Sequence, residues 1–258
     1  MSYVDAHLHL ADADYAGQIE NVVQNAVENG VARLLSNGMD YESSVRTVNL
    51  AKQYEGLVIA AVGVHPWTST NATQSVDLSA FERLIEENRQ QVKAIGEVGL
   101  DGKYSQDDDK KKQQHEVFQS LLARAEQYTL PVVIHSRLAI GDVFATLPSF
   151  KLSRILLHWY SGPLEYLPRI KDRGYLISVG PSILYTKHSA DIACNADLST
   201  IVTETDGPVS YYGPFKGKPT RPYFVIDVVR KLAELKNVKV DEVRDTIWNN
   251  FVSFLSQT

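Results

Sequence analysis

The chain has 258 residues, 26 Lys and Arg against 31 Asp and Glu, a formal net charge of −5, one Cys and 44% hydrophobic residues. That composition excludes disordered, collagen-like and disulfide-stapled classes, and the length suffices to bury a core without a structural metal. A net negative charge supplies no general attraction for phosphate backbones or anionic membranes, so nucleic-acid contact must rest on local arrangements. Cys194 has no intramolecular partner, which fits a reducing compartment, and it is expected to be a small, buried or inert thiol. No basic and then apolar leader opens the chain and no apolar run of roughly 18 residues occurs, so the reading is cytoplasmic with no membrane segment.

Short β-branched apolar segments alternate with segments of helical period from end to end. The strand candidates are Tyr3 to His7, Ala32 to Ser36, Leu57 to Val64, Val92 to Gly96, Pro131 to His135, Arg154 to His158, Tyr175 to Val179 and Ile201 to Thr205. Between them lie helical candidates at Ile19 to Asn29, Tyr41 to Gln53, Leu78 to Asn88, Lys110 to Tyr128, Ile140 to Leu147, Leu164 to Arg173 and Ser189 to Asn195. Phe224 to Lys236 and Val240 to Leu255 follow the last strand. In the 110–128 segment Val117, Leu121, Leu122 and Ala125 form the apolar stripe of a helix resting on a sheet, and Asp107 to Lys112 reads as its solvated start. Eight β/α units in this length predict an α/β protein with a (β/α)8 TIM barrel, and a doubly wound sheet is the alternative that pattern alone leaves open. No Gly, Ser or Pro-rich linker divides the chain, so residues 1–258 are read as one domain.

The positions of the ionisable residues favour the barrel. His7 and His9 stand at i and i+2 in the first strand and so face the same side. Glu97, His135, His158 and Asp206 stand at the C-terminal ends of the fourth, fifth, sixth and eighth strand candidates. Only a barrel brings those ends to one rim, the place where this architecture builds active sites. Four imidazoles and two carboxylates suit divalent ions such as Mg, Mn or Zn, and they are enough ligands for two ions sharing a carboxylate.

The motifs Val4–His9 (VDAHLH), Gly63–Pro66 (GVHP), Gly96–Asp101 (GEVGLD), Leu130–Arg137 (LPVVIHSR), His158–Gly162 (HWYSG) and Glu204–Pro208 (ETDGP) span the chain. In that order they resemble the TatD family of metal-dependent deoxyribonucleases in the amidohydrolase superfamily. The Asn249-Asn250-Phe251 stretch also resembles the family's closing helix. The resemblance implies that His7, His9 and Asp206 hold one ion, that His135 and His158 hold a second, and that Glu97 bridges them. The chain departs from the family pattern at Ala11, at Gly141, and at Trp159 and Tyr160, where Cys and Phe are common; none of these is a proposed ligand, and all bear on substrate preference.

The reading that follows is a deoxyribonuclease acting on single-stranded or frayed DNA. The resemblance favours 3′ to 5′ exonucleolytic polarity, and no obligate protein partner is evident. Asp206 is the expected proton acceptor and Glu97 the shared catalytic ligand. Asp5 and Glu204 are expected to hydrogen-bond the free N–H of ligand histidines, with a plain structural role as the alternative for Asp5. His65 and Arg137 are expected on a substrate phosphate. The loop from Pro208 to Pro222 carries Tyr211, Tyr212 and Phe215 with Lys216, Lys218 and Arg221 as a stacking and phosphate-tracking platform. The alternative is a hydrolase of small amides, esters or lactones using the same metal centre. A binding protein that has lost catalysis is disfavoured, because every expected ligand position holds a competent residue.

Overall fold

In the computed structural model, which describes residues 1–71, 76–105 and 107–256, the alternating segments form parallel strands and helices. The strands are β1 (Tyr3–Leu8), β2 (Val31–Asn37), β3 (Val58–Val62), β4 (Val92–Gly99), β5 (Val132–His135), β6 (Ile155–Leu157), β7 (Leu176–Val179) and β8 (Ile201–Thr203). Each pairs in parallel with the next in chain order. Backbone bonds from Asp206 N to His7 O (2.9 Å) and from His9 N to Gly207 O (2.7 Å) tie the segment after β8 to β1. The sheet therefore closes on itself as a (β/α)8 TIM barrel, and the doubly wound alternative falls away.

The helices are α1 (Ile19–Glu28), α2 (Tyr41–Gln53), α3 (Pro66–Asn71), α4 (Leu78–Glu87), α5 (Asp108–Tyr128), α6 (Ile140–Thr146), α7 (Leu167–Asp172), α8 (Lys187–Asn195), α9 (Val225–Lys236) and α10 (Val240–Leu255). Their starts follow from capping chemistry: Asp40 and Ser43 cap α2 reciprocally, and Asp107 accepts from Lys110 N at the start of α5. α5 buries Gln114, Phe118, Leu121, Leu122 and Ala125. Each large apolar side chain in that stripe contributes about 1.5–3 kcal/mol of burial.

Three local expectations change. The sequence reading omitted α3, a short helix that begins at Pro66, whose fixed φ suits a first helical position. The expected helix from 164 to 173 splits into a 3-10 turn, Leu164–Tyr166, and α7, because Pro168 has no N–H to donate and is tolerated only at a helix start. Cys194 is exposed near the end of α8 rather than buried. Gly99 ends β4 at φ +148°, where an added Cβ would collide with the His135 backbone. Glycine at this position lets β4 and β5 deliver Glu97 and His135 side by side.

Candidate metal centre

All the expected ligands lie at the C-terminal mouth of the barrel. His7 Nε2, His9 Nε2, Glu97 Oε2 and Asp206 Oδ1 form one knot of atoms. The two nitrogens are 3.3 Å apart, each lies 3.3 Å from Asp206 Oδ1, and they lie 3.3 and 3.2 Å from Glu97 Oε2. His7 Nε2, His9 Nε2 and Asp206 Oδ1 make a triangle of three 3.3 Å edges, close enough together for one divalent ion to be shared by all three. The other oxygen of the same carboxylate, Glu97 Oε1, faces His135 Nδ1 (2.8 Å), His158 Nε2 (2.6 Å) and His65 Nε2 (3.3 Å). His135 Nδ1 and His158 Nε2 are 3.2 Å apart, and the His7 and His158 rings stack at 3.9 Å, so the two knots share a wall. Among the described residues the geometric groups that could hold an ion are His7–His9–Asp206, His7–Glu97–His158 and His65–Glu97–His135.

The donor set fits divalent metal. Glu97 Oε2 and Asp206 Oδ1 are buried without a well-formed hydrogen bond although nitrogens surround them at 3.2–3.3 Å. Such orphaned oxygens are costly unless a cation satisfies them. Without the cation, protons take its place. Burial opposes charge on His9, but the negative carboxylates of Asp206 and Glu97 beside its ring push its pKa up to about 10. His158 and His135 are raised in the same way, burial again opposing, through Glu97 and Glu204 in one case and Asp101 and Glu97 in the other. For His65 burial outweighs the pull of Glu97 and, with the charges of His135 and His9, holds the imidazole down to about 4. Against the cost of burial, the surrounding histidines hold both Glu97 and Asp206 below the usual carboxylate range.

A second set of residues orients these ligands, and the sequence reading assigned a role to only part of it. Asp101 is fully buried, and its Oδ2 accepts from His135 Nε2 (2.8 Å), Arg137 Nε (2.9 Å) and Trp67 Nε1 (3.3 Å), with Arg137 Nη2 ion-paired at 2.8 Å. Its own turn is pinned by Gln114 of α5, whose Oε1 accepts from Asp101 N at 2.9 Å. Asp101 closes the Gly96–Asp101 motif, but nothing in the spacing identifies its partners. Arg137 is thus ion-paired, and its guanidinium also lies over the Trp67 and Tyr104 rings. Glu204 Oε2 accepts from Ser178 Oγ (2.5 Å) and lies 3.7 Å from His158 Nδ1. His9 Nδ1 is held by Asn37 O at 3.0 Å. Asp5 takes the structural alternative: it bonds the backbone of His7 and both the backbone and hydroxyl of Thr205, bracing β1 against the segment after β8.

The mouth opens into a cavity of about 650 Å³ whose walls include Asp12, Asp14, Met39, Trp67, Arg137, Trp159 and Val209 beside the ligands. His65 lies on the wall but faces Glu97, within the ligand cluster rather than apart from it. The 208–222 loop is rearranged relative to expectation. Tyr211 is 4% exposed, its hydroxyl donates to Thr205 O, and it packs with Phe215 and Phe224 in a small aromatic cluster, so it cannot serve as a stacking platform. The exposed ring is Tyr212, at 69%. Lys216 and Lys218 are exposed and Arg221 bonds Gln18, and none of the three is part of the cavity wall. Among the described residues no helix is long and apolar enough to cross a membrane.

Comparison with known proteins accounts for this arrangement. The family model described as TatD related DNase matches residues 4–256. An uncharacterized metal-dependent hydrolase of Methanocaldococcus jannaschii is 31% identical, with the match covering 100% of this chain and 98% of the relative. The deoxyribonuclease TATDN3 of Homo sapiens is 27% identical over 96% of this chain and 92% of its own length. The crystal structure of YjjV, a TatD homologue from Escherichia coli, superposes with a TM-score of 0.90 at 29% identity, covering 99% of this chain and 98% of that one. With the barrel, the rim cluster and a family match across nearly its whole length, the chain belongs to the TatD-related DNase family.

Proposed function

We propose that this TatD-family metal-dependent hydrolase is a deoxyribonuclease that removes nucleotides from the 3′ end of single-stranded or frayed DNA. One observation carries the reading: a single carboxylate, Glu97, turns one oxygen to each of two nitrogen-rich ligand knots on the floor of a cavity that Arg137 overlooks. His7, His9, Asp206 and Glu97 would hold one ion, and His135, His158 and Glu97 a second, with His65 as a further donor on that side. Divalent ions there polarise a P–O bond and lower the pKa of a water for attack. Asp206 enters the ligand knot through Oδ1 alone, which leaves its other oxygen to take the proton of the attacking water. Arg137, fixed in place by Asp101, steadies the phosphate oxygens, and Lys216, Lys218 and Arg221, which lie outside the cavity wall, would meet the strand beyond it. The name of the human relative supports DNA as the substrate.

The test is metal-depleted protein with Mg, Mn, Co or Zn restored singly, given 5′- or 3′-labelled single-stranded oligonucleotides beside an Asp206→Asn control. Metal-dependent ladders of single-nucleotide steps from the 3′ end, absent in the control, are expected. Silence with every metal while ions bind in stoichiometric amounts would overturn the reading in favour of ester, amide or lactone hydrolysis.

A further inference from the structure

Trp159 stands directly after His158, with its backbone in the left-handed region at φ +37°, a conformation a bulky side chain adopts only when its surroundings enforce it. The enforcing contacts are on both sides of the residue. Its backbone N donates to Ser178 Oγ at 2.9 Å, and Ser178 is itself anchored on Glu204. Its ring lies 5.6 Å from Tyr211, which continues through Phe215 at 6.4 Å to Phe224 at 4.4 Å. The buried aromatics of the 208–222 loop are therefore the backing of one indole. That indole is half-buried and forms part of the cavity wall beside the ligand knots. Across the same cavity Arg137 lies over Trp67, and several of the protein's large exposed apolar side chains, Tyr104, Leu138, Val209 and Tyr212, belong to the loops around this rim.

We infer that Trp159 is a specificity-determining residue that stacks on a nucleobase of the nucleotide whose phosphate occupies the metal centre. The inference rests on the phosphodiesterase reading for its choice of ligand. A rigid, pre-backed indole loses little conformational freedom on stacking, and stacking accepts any base, so the residue selects for the presence of a base rather than for its identity.

The experiment compares wild type, Trp159→Ala and Trp159→Phe, metal-loaded, on two oligonucleotides that differ only in the 3′-terminal unit, thymidine or a base-free propanediol phosphate. The Ala variant is expected to raise KM for the base-bearing end by about 5- to 150-fold, with kcat/KM on the base-free end unchanged; Phe restores most of the loss. Equal loss on both substrates, or loss on neither, overturns the inference. A second readout needs no turnover and survives failure of the phosphodiesterase reading: quenching of intrinsic fluorescence by thymidine and guanosine 5′-monophosphates. Trp248 lies against Arg33, away from the cavity wall, so the signal reports on Trp67 and Trp159. Quenching that disappears in Trp159→Phe and persists in Trp67→Phe supports stacking on Trp159. Quenching that survives in Trp159→Phe, or no quenching of wild type, overturns it.

Discussion

Asp101 offers the sharpest test of how the site is held, because one buried oxygen serves a proposed ligand, a proposed phosphate contact and an indole at once. Asp101→Asn keeps the shape but not the charge. If the amide oxygen replaces Oδ2, the amide NH2 faces Lys103 N, which now donates to Oδ1 at 2.8 Å; in the flipped orientation the NH2 faces His135 and Arg137. Either way two donors oppose each other in a buried turn. Hydrogen bonds to charged groups are worth about 1.5–3 kcal/mol each. The Arg137 side chain is about a third exposed, and solvent screening reduces that share. The net cost is about 3 kcal/mol, which in a chain of this size lowers Tm by about 6–12 °C. Loss of an outer partner also weakens a metal ligand, here His135, by about 10- to 100-fold in affinity. Calorimetric titration of Mn into the metal-free variant should therefore show one ion bound as in wild type and one weakened by that factor, with a raised KM for DNA because Arg137 is released. Wild-type affinity for both ions together with an unchanged KM, in a variant that is folded by circular dichroism, would refute the reasoning.

Three further outcomes follow from the same geometry. Glu97→Ala removes the carboxylate common to both ligand knots, so elemental analysis after dialysis should find fewer than one ion per chain; two retained ions would exclude a bridging role. In the metal-free protein His9 holds its proton up to about pH 10, above the ordinary 6.5, so its contribution to stability is complete below 6.5 and is lost as pH rises toward 10. Since metal must displace that proton, Tm of the metal-free protein should fall between pH 7 and 9 and that of the loaded protein should not, while metal affinity rises with pH; parallel melting profiles would count against the cage. Replacing Lys216, Lys218 and Arg221 together by Ala should leave kcat intact and flatten the dependence of log KM on log salt by up to about 2, read from steady-state kinetics at several salt concentrations.

Much of this architecture was legible because it is written in periodicity. Parallel strands covered by helices are β-branched apolar runs, and each of the eight expected strands has its counterpart, with ends that shift by a few residues. The rim cluster was legible for a topological reason: once the strands close into a barrel, residues at strand C-termini must be neighbours, whatever their separation in the chain. His7, His9, Glu97, His135, His158 and Asp206 meet on that account alone. His65 shows where the rule stops. Sequence placed it on the rim, but whether it faces the ligands or the substrate depends on the 3.3 Å between its Nε2 and Glu97, a distance no spacing encodes.

The loops after the strands carry no period, and there identical residue types diverge. Tyr211 and Tyr212 are adjacent, yet one is 4% and the other 69% exposed, because Tyr211 finds an acceptor in Thr205 O and rings in Trp159 and Phe215 to pack against. Composition marked the loop as aromatic and basic without saying which ring the fold would consume. A buried tyrosine needs a partner for its hydroxyl, and that of residue 211 finds one in Thr205 O. Its burial then brings its ring against the indole of residue 159. The loop's buried rings therefore pack behind Trp159 rather than facing the cavity, and its cations lie outside the cavity wall. A change of residue type at 159 alters both ends of that arrangement at once, the surface presented to the cavity and the packing beneath it.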